Sequence, residues 1–116
     1  MVNLPKPIEE FFRLKNAEDD AGLVELFTED ATVIDAGERK EMRGRGDISQ
    51  WIEKSISGLC LQTDVRGWTE RDSEWVVDTV LTGSFKASPA RFEYFIALSG
   101  DKIAKLRVEF RGSLKQ

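Results

Sequence analysis

The sequence changes period at Leu59. Before it, apolar residues recur at helical spacing. After it they alternate, in stretches over about 59–70, 74–85, 91–98 and 102–111. Alternation sustained over four stretches fits half-buried strands and excludes an all-helical fold. Their joints, Arg71-Asp72-Ser73, Lys86-Ala87-Ser88-Pro89 and Ser99-Gly100-Asp101, are short and rich in turn formers. Successive strands are therefore expected to run antiparallel.

The first half predicts three helices. Pro5 and Pro7 mark the entry to one over about 7–17, with Ile8, Phe11, Phe12 and Leu14 on its apolar side. Asp19 or Asp20 caps a short second helix carrying Leu23, Val24, Leu26 and Phe27. Ala31-Thr32-Val33-Ile34-Asp35 is β-branched and ends near Gly37, which predicts a strand. Residues 37–46 are polar and punctuated by glycine: a loop, with room for a short strand near Met42. Asp47, with Gln50 three residues on, predicts a capping box opening a third helix, with Ile48, Trp51, Ile52 and Ile56 inward and Gly58 as its stop. Helices first and a meander of strands after them give an α+β fold, a curved sheet with helices on one face.

The 116 residues fit a single domain over 1–116. A chain this long buries roughly 65% of its unfolded surface, enough for a core without staples. One cysteine, Cys60, excludes an internal disulfide and a cysteine-based zinc site, and it is expected to be a buried strand residue. No apolar run reaches the roughly 20 residues of a membrane span, and the N-terminal residues lack a signal-peptide hydrophobic region; a cytoplasmic protein is expected, with no membrane partner. A net charge of −4 opposes nonspecific nucleic-acid binding. The basic residues Arg39, Lys40, Arg43 and Arg45 are interrupted by Glu38, Glu41 and Asp47, as in a solvated loop. Histidine is absent, which removes Ser-His-Asp and Cys-His chemistry and any imidazole base. Proton transfer must use Asp, Glu, Lys, Tyr or water. No carboxylates have a metal-loop spacing, so neither metal nor cofactor is expected.

Two carboxylates, Asp35 and Glu93, each lie inside an otherwise largely apolar strand. A buried carboxylate is costly unless it is paired or used, so both are candidate site residues. Asp35 could instead bond turn amides toward Gly37, and Glu93 could pair with an arginine such as Arg107 or Arg91. Phe11, Phe12, Phe27, Trp51 and Phe95, with Leu106 on the last strand, are candidates for a pocket wall, against core packing as the alternative. Asp78 is a third carboxylate in an apolar strand and a further pocket candidate. Large apolar groups occupy both faces of 91–98: Phe92, Tyr94 and Ile96 on one, Phe95 and Ala97 on the other. Three helices cover only one face. The other is expected to meet a second copy in a homodimer, which Trp68 could also serve.

Three helices, the Leu26-Phe27-Thr28-Glu29-Asp30-Ala31-Thr32-Val33 junction, the Gly44-Arg45-Gly46-Asp47-Ile48 turn and a four-strand meander resemble the nuclear transport factor 2-like superfamily. The similarity is greatest to its SnoaL-like and ketosteroid-isomerase-like bacterial members, over about 7–110. It implies a cone-shaped, cystatin-like fold: a curved antiparallel or mixed sheet with three N-terminal helices packed on its concave face. It also implies a catalytic role for Asp35, which matches the proton-shuttling aspartate of ketosteroid isomerases. Glu93 falls at the register of their protonated, oxyanion-binding aspartate. Their helix-one tyrosine falls at Phe11, which has no hydroxyl.

Two functions follow as expectations. One is a cofactor-free enzyme of isomerase, cyclase, dehydratase or hydrolase type, in which Asp35, assisted by Glu93, moves a proton on a hydrophobic carbonyl compound. The other is a non-catalytic ligand-binding or dimeric interaction module of the same fold.

Overall fold

Helix α1 (Lys6–Asn16) follows Pro5, which lies at φ −57°, and carries Pro7 in its first turn, where no amide donor is missed. The computed structural model describes residues 3–115. The buried side of α1 is Ile8, Phe11, Phe12, Leu14 and also Lys15. Helix α2 (Asp20–Glu25) is capped by Asp19, whose carboxylate accepts from the Gly22 amide at 3.0 Å. Phe27, predicted in this helix, is instead the first residue of β1 (Phe27–Asp35).

Strand β2 (Lys40–Arg43) pairs antiparallel with β1 and forms around Met42. Gly44, at φ +82°, turns the chain directly from β2 into α3 (Gly44–Ser55). The helix thus starts earlier than expected, and Asp47 is not its N-cap. Asp47 lies one turn in, and its carboxylate accepts from the Arg43 amide at 3.3 Å. An acid there still serves the unpaired donors at a helix start. Arg45 likewise has a structural use: its guanidinium donates to the Phe27 carbonyl at 2.7 and 3.0 Å, tying α3 to the start of β1.

Four strands complete the sheet: β3 (Gln62–Arg71), β4 (Glu74–Thr82), β5 (Ala90–Ser99) and β6 (Lys102–Ser113). Asp72 and Ser73, at φ 52° and 64°, make the tight hairpin between β3 and β4. Residues 59–61 are not strand. Leu59 accepts from the Ser84 amide at 2.7 Å across a turn, and Cys60, at φ 53°, is exposed rather than buried. Helix α3 ends at Ser55 with Ile56 as its C-cap, so Gly58 is not its stop; at φ +79° it lies in the turn that reverses the chain before β3 begins.

The sheet order is β2-β1-β6-β5-β4-β3. β1 runs parallel to β6 and every other pairing is antiparallel, so the sheet is mixed and open. The helices pack on one face over Phe11, Leu23, Phe27, Val33, Ile52, Ile96 and Leu106, all at most 1% exposed. Each such side chain contributes about 1.5–3 kcal/mol on burial. Among the described residues no helix is long and apolar enough to cross a membrane.

Candidate functional site

The helices do not fill the whole concavity. A cavity of about 330 Å³ remains between α1, α3 and the inner face of β4–β6, a size suited to a small organic molecule. Its walls are mostly apolar, with Leu61, Leu81, Phe85, Phe92, Val108 and Phe110 among them. Phe92 and Phe110 meet edge to face with centroids 5.5 Å apart, and Phe110 is 44% exposed.

Asp35 is at this cavity because it ends β1, where parallel pairing sets it beside Val108 of β6. Trp51, on α3, also lines the cavity, and its indole Nε1 donates to Asp35 Oδ2 at 3.0 Å. The Glu38 amide donates to the other oxygen at 3.3 Å. The carboxylate is thus held by two donors, and one of them is the turn amide that the sequence offered as an alternative use.

Two polar groups at the site were not among the predicted site residues. Lys15 is only 2% exposed, lines the cavity and donates from Nζ to Thr63 Oγ1 at 2.8 Å. Burial alone pulls its pKa down from the usual lysine value to about 7. Tyr94, on β5, is 2% exposed. Burial, and secondarily the negative charge of Asp35, push its phenol well above the usual tyrosine range, against a smaller opposing effect from a hydrogen bond with Thr63. The phenol therefore stays protonated and keeps its hydrogen to donate. Lys15, Thr63 and Tyr94 form one polar cluster in an apolar wall, and Lys15 and Tyr94 share the cavity with Asp35.

Lys15 did leave a trace in the sequence. It lies three residues after Phe12 and seven after Ile8, on the apolar stripe of α1. Tyr94 shares an alternation face with Phe92 and Ile96, and it is this face that the helices cover.

The other predicted residues lie elsewhere. Glu93 points away from the cavity, between Phe92 and Tyr94 which point in, and pairs with Arg111 rather than Arg107 or Arg91. Asp78 is across from it in register and pairs with Arg91 at 2.9 Å. Phe95 lies on that same outer face under the Arg107 guanidinium, 3.9 Å from the ring centroid. Phe11 meets Phe12, Phe27 and Tyr94 edge-on, and Phe12 meets Tyr94 likewise, with centroids 5.1–6.3 Å apart. These three and Leu106 form core beneath the cavity rather than its lining. Of the predicted site residues, the structure brings only Asp35 and Trp51 together at the cavity.

No family model matches the sequence, and no curated protein does. Solved structures do match. A candidate polyketide cyclase from Sinorhizobium meliloti superposes with a TM-score of 0.83 at 24% identity, over 91% of this chain and 95% of that one. A protein with a ketosteroid isomerase-like fold from Catenulispora acidiphila, solved with trimethylamine, gives 0.81 at 17% identity, over 92% and 86%. A protein from Sphaerobacter thermophilus gives 0.73 at 25% identity, over 90% and 93%. These likenesses establish the fold, which is nuclear transport factor 2-like and ketosteroid isomerase-like.

Proposed function

We propose that the cavity binds an apolar carbonyl compound and that Asp35 acts on it as a general base, removing a proton beside the carbonyl. The observation that carries this reading is the convergence of Asp35 and the protonated Tyr94 phenol on one apolar cavity. A base and a neutral donor are the two parts an enolisation needs, one to take the proton and one to meet the developing oxyanion. Tyr94 would supply from β5 the hydroxyl that Phe11 lacks on α1. Glu93, turned outward and paired with Arg111, has no part in it.

The test is exchange of α-protons for deuterium in heavy water, followed by NMR across a panel of apolar aldehydes and ketones. Asp35→Asn is expected to slow exchange by roughly 10²- to 10⁴-fold while leaving binding intact. The second reading, a non-catalytic binding module, is favoured by the outward position of Glu93, which leaves the site without its expected second acid. Compounds that bind the wild-type protein without exchanging would establish that reading.

The outer sheet face is the surface we propose for a homodimer. Val76 and Phe95 are half-buried register partners there, and the Arg107 guanidinium covers the Phe95 ring. Light scattering of the wild type against Phe95→Asp tests this; a monomeric wild type ends it.

A further inference from the structure

Lys15 has no assigned use in that reading, and its situation is unusual for a lysine. Its amine is buried at a cavity wall, holds one hydrogen bond to Thr63 Oγ1, and has no carboxylate in ion-pairing range among the described residues. A lysine so placed costs the fold stability, and residues that do so concentrate at functional sites. The charged and titratable groups that share its cavity are Asp35 at the end of β1, Glu38 in the turn after it and Tyr94 on β5.

We propose that Lys15 is a nucleophile that condenses with the carbonyl carbon of an apolar aldehyde or ketone bound in the cavity, forming an imine. The inference rests on the carbonyl reading of the cavity and adds a covalent step to it. The Nζ lone pair bonds to the carbonyl carbon, the C=O π pair moves to oxygen, and the now cationic nitrogen passes a proton to that oxygen, which leaves a neutral carbinolamine. The carbinolamine then loses water, with its oxygen leaving on a second proton, to give the protonated imine. That cation acidifies the neighbouring C–H, whose proton passes to the Asp35 carboxylate and leaves an enamine. Reprotonation and addition of water reverse the sequence and release the carbonyl product and free amine. No oxidant or reductant is required. A free amine is the form that attacks, and burial provides it near neutral pH, where surface lysines are almost wholly charged.

The probe is 2-naphthaldehyde, whose flat apolar ring suits a cavity of about 330 Å³. The protein is incubated with it near neutral pH with and without cyanoborohydride. Backbone amide NMR shifts report binding in the sample without reductant, and peptide mass mapping locates the reduced adduct. One naphthylmethyl group is expected on Lys15, acquired roughly tenfold or more faster than on any other lysine. Lys15→Met is expected to lose that adduct while still binding the aldehyde at residues around Asp35. Should the variant fail to fold, the wild-type map decides alone. Shifts around the cavity with no adduct on Lys15 overturn the imine and leave the carbonyl site standing. Neither shifts nor adduct overturns both.

Discussion

Asn16 holds Thr63 by both of its main-chain groups. Its side-chain oxygen accepts from the Thr63 amide at 2.7 Å, and its side-chain nitrogen donates to the Thr63 carbonyl at 3.0 Å. An asparagine at the end of α1 thus substitutes for a strand neighbour at the start of β3. Its consequence is positional, because the Thr63 hydroxyl bonds both Lys15 and Tyr94.

Replacing Asn16 with alanine leaves the Thr63 amide and carbonyl without these partners. The expected cost is about 1–3 kcal/mol, read from urea unfolding. Asn16→Asp keeps the acceptor and loses the donor, so it is expected to fall between wild type and alanine.

The buried Lys15 amine makes stability depend on pH. In the unfolded chain the amine titrates near the usual lysine value; in the folded protein it titrates at about 7. Between the two, the unfolded state holds more protons, so stability is greatest above the unfolded value and falls as pH drops toward 7. The slope approaches about 1.4 kcal/mol per pH unit between neutrality and pH ~10. Tyr94, whose titration is pushed up by folding, opposes it above the usual tyrosine value. Lys15→Met is expected to flatten the slope and to be more stable than wild type near pH 7. Urea midpoints at several pH values measure both effects.

Trp51→Phe keeps an aromatic wall and removes the indole donor to Asp35. Stability is expected to fall by about 1 kcal/mol, and α-proton exchange by roughly tenfold, because the carboxylate loses one of the two donors that fix its orientation. The pairing of a small stability change with a larger rate change is the signature to look for.

Glu93→Gln is the contrasting experiment. The ion pair with Arg111 is partly exposed, so its loss is expected to cost under about 1 kcal/mol. Exchange should change less than twofold. A large rate loss would return Glu93 to the chemistry.

Gly83→Ala probes the cavity wall. A β-carbon there would lie 2.8 Å from the Leu59 carbonyl and 2.7 Å from Leu61 Cδ2, so the 59–61 turn must shift. A loss of about 1–3 kcal/mol is expected in thermal or urea unfolding, with weaker binding because Leu59 and Leu61 line the cavity.

The sequence carried the architecture because its period switch at Leu59 is long and its turns are chemically distinct. It carried Asp35 for a related reason: a carboxylate at the end of a β-branched run is conspicuous. Glu93 was misplaced by a choice of face. Alternation separated it from Tyr94, but both faces of β5 are apolar, and only packing against the helices decided which one turned inward. Lys15 was hidden by its residue type. Lysine on an apolar stripe is ordinarily read as a snorkelling surface chain, and only the position of Thr63, 48 residues away, shows where its amine ends. The early start of α3 and the turn at 59–61 depend on backbone conformation at Gly44 and Cys60, which a pattern of side chains does not express.

The parallel pairing of β1 with β6 has a consequence for the order of assembly. Asp35 takes its place beside Val108, so the carboxylate lacks its β6 neighbour and the cavity wall beyond it until β6 has been synthesised. Contacts of such long sequence separation form late and slowly. A nascent chain halted before β6 would hold Lys15, Thr63 and Asp35 and still have no site. Closure of the cavity around Asp35 is thus a readout of completed folding.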